Sequence, residues 1–162
     1  MFDIQLFGRV EVRTRGIRLM GADFGGDRPR HLLALLALRG EVSTSELAAL
    51  LNTPQTMVET DMSVLRESLE PGVASGDSVV VAHRDRWSLN PDQVRVDVAR
   101  FDELIAAAAS RPADRAAKPL KAAAFVANRP LLEDEQASWA AEARAEYRAK
   151  LQTAHPTNLL AA

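Results

Sequence analysis

Two helical patterns stand almost end to end in "STSELAALLNTPQTMVETDMSVLRESL" (residues 43–69). The first opens on Ser43 with Glu46 three residues later, the pattern of a capping box, and turns Leu47, Leu50 and Leu51 inward. The second repeats apolar residues at Val58, Met62, Leu65 and Leu69, spaced i, i+4, i+7 and i+11, as one face of an amphipathic helix requires. Two helices joined by so short a break have the arrangement of a helix-turn-helix. Just before them, "PRHLLALLALRG" places Leu32, Leu33, Leu35, Leu36 and Leu38 around a buried helix that Gly40 closes.

Strand patterns flank these three helices. "FDIQLFGRVEVRT" alternates Phe2, Ile4 and Leu6, then Val10 and Val12, which predicts two short strands with a turn at Gly8–Arg9. "IRLM" (17–20) predicts a third, and "GADFGGDRPR" (21–30) is turn chemistry whose glycines lack the Gly-Lys-Ser/Thr ending of a phosphate loop. "SVVVAHRDRWSLN" predicts a hairpin with Arg84, Asp85 and Arg86 near its tip. After Pro91 only helical patterns follow. "DVARFDELIAAAAS" turns Phe101, Leu104 and Ile105 inward, and a second run carries Pro119 near its start or at a kink. A third run is predicted to begin at "EDEQ", its first-turn acids suited to the helix dipole.

The order predicts an α+β chain. A winged helix-turn-helix domain with N-terminal antiparallel strands spans residues 1–92, and an all-α, tetratricopeptide-like segment spans 93–162. The chain is 47% hydrophobic and 26% charged, enough apolar mass for a core. It has no Cys, which excludes disulfides and thiolate metal sites. No apolar run reaches the roughly 18 residues of a membrane span, and Asp3 breaks a signal-peptide start, so a cytoplasmic protein with no membrane partner is expected. His31, His83 and His155 lie far apart with no carboxylate at ligand spacing. No nucleophile, base and oxyanion set is evident; neither an enzyme nor a cofactor is expected.

Charge bears on the DNA question. Residues 1–92 hold ten Arg against thirteen Asp and Glu, a net of −3. DNA affinity comes largely from cations that displace counterions at phosphates, so such a domain must gather its Arg on one face. The stretch "TMVETDMSVLRESLEPG" (56–72) carries Glu59, Asp61, Glu67 and Glu70 against Arg66 alone. Its polar face offers Thr56, Thr60 and Ser63 for phosphates or base edges and Arg66 for guanine, unless Arg66 anchors the helix instead. Arg84 and Arg86 at the hairpin tip suit the backbone or minor groove, and Arg28 and Arg30 could reach phosphates. Double-stranded DNA is thus one expected partner. Another protein, met by the acidic helix face or the C-terminal helices, is the other.

Several stretches together resemble the Streptomyces antibiotic regulatory protein family. "LFGRVEV" is similar to its opening strand pair, "RPRHLLALLALRGEVSTSELAALL" to its first two helices, and "MSVLRESL" to its Val-Ser-x-Leu-Arg-x-x-Leu. "VDVARFDELIAAA" resembles the Val-Asp-x-x-x-Phe-x-x-Leu start of its bacterial transcriptional activator domain. "ANRPLLEDEQASWAAEARAEYRAKL" is similar to the segment that follows, a loop leading to a helix with Trp139 and Arg144. In order, these cover about residues 3–152. The resemblance implies a winged helix that binds promoter repeats, touches RNA polymerase through the loop between its second and third helices, and leads into a tetratricopeptide-like domain. The chain departs from the family at three places. That loop is only "LLNTPQ" and lacks the family's Leu-Trp, the wing ends in "RDRWSL" without Gly-Tyr, and the helical segment has about three helices where the family continues. A winged helix that has lost DNA binding and serves as a protein-interaction module is the alternative these departures leave open.

Overall fold

The computed structural model describes the backbone of residues 1–161 and the side chains of residues 1–154. Among the described residues the chain is α+β, with six α-helices and two sheets. It divides into two compact units, Met1–Ile4 with Val10–Arg95, and Gln5–Arg9 with Val96–Ala162.

The first unit contains strands β1 (Phe2–Gln5), β2 (Glu11–Thr14) and β3 (Ile17–Met20), then helix α1 (Asp27–Arg39). A two-residue strand β4 (Val42–Ser43) leads into α2 (Thr44–Leu51) and α3 (Gln55–Leu69). The hairpin β5 (Val80–His83) and β6 (Arg86–Leu89) follows, and β7 (Val94–Val96) comes last. One sheet has the order β3-β2-β1-β7, the other β4-β6-β5. Strand β7 is an addition to the sequence reading: "VRV" is too short for alternation to show. β4 is likewise hidden by its length, yet Val42 pairs with Trp87 and Ser43 with Arg86, tying the start of α2 to the hairpin.

The three helices bury the expected stripes. Leu32, Leu33, Leu35 and Leu36 of α1 and Val58, Met62, Leu65 and Leu69 of α3 are all buried, while Leu38 is half-buried. Gly40 closes α1 at φ 79°, its N–H donating to the Leu36 carbonyl. Ser43 caps α2 by accepting from the Glu46 N–H at 3.1 Å. The Glu46 carboxylate is paired with Arg39 at 2.8 Å, an ion pair across two helices that the capping-box reading did not include. Gly25, at φ +91°, lies so close to Val64 that a Cβ there would overlap the Val64 side chain.

The second unit is built on α4 (Asp97–Ala109), α5 (Ala113–Val126) and α6 (Ser138–Ala161). Phe101 is fully buried and meets Phe7 and Tyr147 with ring centroids 5.4 and 5.7 Å away. Residues 5–9 belong here because the half-buried Asp97 carboxylate accepts the N–H groups of Leu6 and Phe7 at 2.9–3.0 Å. Gly8 also donates to Pro130 and accepts from Glu133. The segment around Gly8 is therefore more than the hairpin turn its sequence suggests. Burial pushes the Asp97 carboxyl above its usual range, against the lowering effect of the backbone N–H groups. Pro119 lies inside α5 and is buried.

One reading of this unit needs correction. "EDEQ" precedes α6 instead of forming its first turn, and α6 has no acid there. Glu133 pairs with Arg129, Asp134 lies 3.9 Å from Arg9, and Glu135 is buried, so ion pairing takes the place of the helix dipole. Arg144 holds this loop, donating to the carbonyls of Leu131 at 2.9 Å and Glu135 at 3.0 Å.

Candidate nucleic-acid interface

Helix α3 and the β5–β6 hairpin carry most of the sequence-derived candidates, all within the first unit. Burying Val58, Met62, Leu65 and Leu69 leaves Thr56, Glu59, Thr60, Ser63 and Glu67 exposed on α3. The other two acids of this helix region are not on that face. Asp61 is 5% exposed and accepts from Arg28 Nε at 2.7 Å. Glu70 is buried and accepts from the Ser78 hydroxyl at 2.7 Å and the Val79 N–H at 3.0 Å, holding the start of the hairpin. The acidity of the exposed helix thus reduces to Glu59 and Glu67.

Arg66 has an anchoring position. Its Nε and Nη2 donate to the Val80 carbonyl at 3.2 and 2.8 Å, and its guanidinium lies 5.3 Å from the centroid of the Trp87 ring. Trp87 is itself buried and donates from Nε1 to the Thr44 hydroxyl at 2.9 Å. Thr44 in turn donates from N–H and hydroxyl to the Asp85 carbonyl at 2.7 and 2.9 Å, so the hairpin tip is tied to the first residue of α2. This chain of contacts sets α2, α3 and the hairpin in fixed relation.

At the tip, His83 pairs with Arg86 across a two-residue turn, with Arg84 at φ 59°. Arg86 is paired with Glu41 at 2.9 Å. Arg30 sits near Asp27 at 3.0 Å and is mostly covered. Arg84 is exposed and, alone among the Arg of the first unit within the described residues, has no intramolecular partner. Arg13 and Arg18 lie on Glu11, Arg15 on the Leu69 carbonyl, Arg39 on Glu46 and Arg95 on Asp3.

Of the candidates, Thr56, Thr60, Ser63 and Arg66 lie on α3, Arg84 and Arg86 on the hairpin, and Arg30 on the first turn of α1. The sequence reading placed Gln55 at the end of the loop "LLNTPQ", whereas it is the exposed first residue of α3. It also missed Glu41 and Asp61 as ion-pair partners, because 45 and 33 residues separate them from Arg86 and Arg28. No group of His, Asp and Glu suited to a metal ion occurs among the described residues; His155 lies outside the described side chains.

With this geometry the chain can be set beside known proteins. No family model and no curated protein matches it. Among solved structures, Mycobacterium tuberculosis EmbR, determined in complex with a low-affinity phosphopeptide, matches over 97% of this chain at a TM-score of 0.76 and 22% identity. The fold is similar to that of EmbR. The likeness to EmbR takes in both units, and this chain spans 44% of the EmbR chain. At this identity the likeness to EmbR concerns the fold.

Proposed function

We propose that this chain is a cytoplasmic, non-enzymatic, DNA-binding regulator of transcription related to the Streptomyces antibiotic regulatory proteins. In this reading the first unit works as a winged helix-turn-helix and the second as a tetratricopeptide-like partner domain. The observation that carries the reading is the fold likeness to EmbR across nearly the whole chain, joined to family-like motifs in matching order. Helix α3 then enters the major groove, the β5–β6 hairpin is the wing, and Arg84 meets a phosphate. The ion pair between Arg86 and Glu41 is half-exposed, with 46% and 54% of the two side chains accessible, so Arg86 can change partner at little cost.

A second reading is a protein-interaction module with a winged helix that no longer binds DNA. The intramolecular partners of nine of the ten Arg in the first unit favour it, because a paired cation contributes less to counterion release. Among the described residues, no helix is long and apolar enough to cross a membrane.

Selection of genomic fragments by the purified chain, followed by footprinting, separates the two readings. A protected site upstream of a gene supports regulation through DNA. Recovery of fragments no better than bulk competitor DNA contradicts it.

A further inference from the structure

We infer that α3 reads bases that present an amino group in the major groove, cytosine and adenine, and makes no arginine contact to guanine; this rests on the DNA-binding reading above. The inference follows from an account of donors on the exposed helix face. The Thr60 hydroxyl donates to the Thr56 carbonyl at 3.3 Å and the Ser63 hydroxyl to the Glu59 carbonyl at 3.1 Å. A hydroxyl has one hydrogen to give, so both present only lone pairs to a groove. Ionised Glu59 and Glu67 only accept. Arg66, the one basic side chain of the helix, spends its Nε–Nη2 edge on the Val80 carbonyl.

Guanine shows N7 and O6 to the major groove and thymine shows O4, all acceptors; cytosine N4 and adenine N6 are the donors there. An acceptor-rich helix face can therefore pair with cytosine or adenine, and it repels guanine. Recognition helices meet base edges with their N-terminal residues. In α3 those are Gln55, Thr56 and Glu59, whereas Arg66 lies about 10 Å beyond Glu59 and about 16 Å beyond Gln55 along the axis, at about 1.5 Å per residue. Glu59 fits a cytosine amino group. Gln55, whose carboxamide both donates and accepts, fits adenine N6 and N7.

The test is selection from a pool of random DNA duplexes by the purified full chain at low ionic strength, with the bound sequences counted. The expected result is a position enriched in cytosine over guanine by roughly tenfold or more, as one good base contact gives. In Glu59→Gln that preference moves to adenine, while in Arg66→Lys it is kept. Guanine enrichment that Arg66→Lys removes, or a cytosine preference unchanged in Glu59→Gln, overturns the inference. Salt-dependent binding without any selected base overturns the inference and leaves the DNA-binding reading standing. Absence of binding to any duplex overturns that reading, and the inference with it.

Discussion

Replacing Arg66 by alanine should weaken the first unit more than it weakens any contact with DNA. The two hydrogen bonds of Arg66 share one acceptor, the Val80 carbonyl, and so count as one charge-assisted interaction of about 1.5–3 kcal/mol. The guanidinium over Trp87, at 5.3 Å, adds about 0.5–1 kcal/mol. Together these give a loss of about 2–4 kcal/mol for Arg66→Ala. Arg66→Lys keeps the charge on one nitrogen with three N–H donors but not the planar fork, and should recover roughly half of the loss. The assay is urea unfolding followed through Trp87 fluorescence in a Trp139→Phe background, so that the signal reports the first unit. In a double-mutant cycle with Trp87→Leu, followed by far-ultraviolet circular dichroism because that change removes the fluorescent reporter, the coupling should amount to the stacking share, about 0.5–1 kcal/mol. A cost below about 0.5 kcal/mol for Arg66→Ala, less than the weakest interaction counted, would refute the anchoring argument.

Asp97 offers a pH test with a definite sign. Its folded pKa is raised above 3.8 by burial, so its contribution to stability is fully present below that value and is lost as pH rises through the folded pKa. The stability of the native chain relative to Asp97→Asn should therefore be greatest at low pH and decline as pH rises from 3.8, in urea titrations across that range; a difference that grows with pH would contradict it. Asp97→Ala leaves the Leu6 and Phe7 N–H groups without their acceptor and should cost more than Asp97→Asn, about 1–3 kcal/mol for each donor left buried. In transcription, the link between α2 and α3 is only residues 52–54, so direct activation through polymerase should be weak or absent. Strong activation in a purified system of polymerase and its sigma factor, lost on substituting Asn52 while DNA binding is kept, would overturn that expectation.

The helices of the first unit were legible because their periodicity is local: Val58, Met62, Leu65 and Leu69 announce α3 without any knowledge of partners. The position of Asp61 was legible too, since it stands three residues after Val58 and four before Leu65, on the buried side. Counting it only as a charge hid that. Arg28, its partner, stands 33 residues away, and no sequence pattern links the two. The same holds for Glu70, whose acceptor role depends on Ser78 and Val79 folding back against it. "EDEQ" looked like a helix start because acids favour first turns, but Arg129 and Arg9 give two of these acids partners within the loop. The face proposed for DNA was thus visible as a pattern of exposed residues. The state of its cations was not, because ion pairing is a property of the assembled unit.

The most direct test of the DNA-binding account is a titration of the purified chain with duplex DNA over a series of salt concentrations. Each phosphate neutralised contributes about −0.9 to the slope of log affinity against log salt concentration. Arg84 is unpartnered among the described residues, and Arg86, whose pair with Glu41 is half-exposed, can exchange that carboxylate for a phosphate, whereas Arg28 is held by the buried Asp61 carboxylate. The account predicts a shallow slope near −2, reduced by about 0.9 in Arg84→Ala. Affinity that does not change with salt, or a slope that Arg84→Ala leaves untouched, would contradict it.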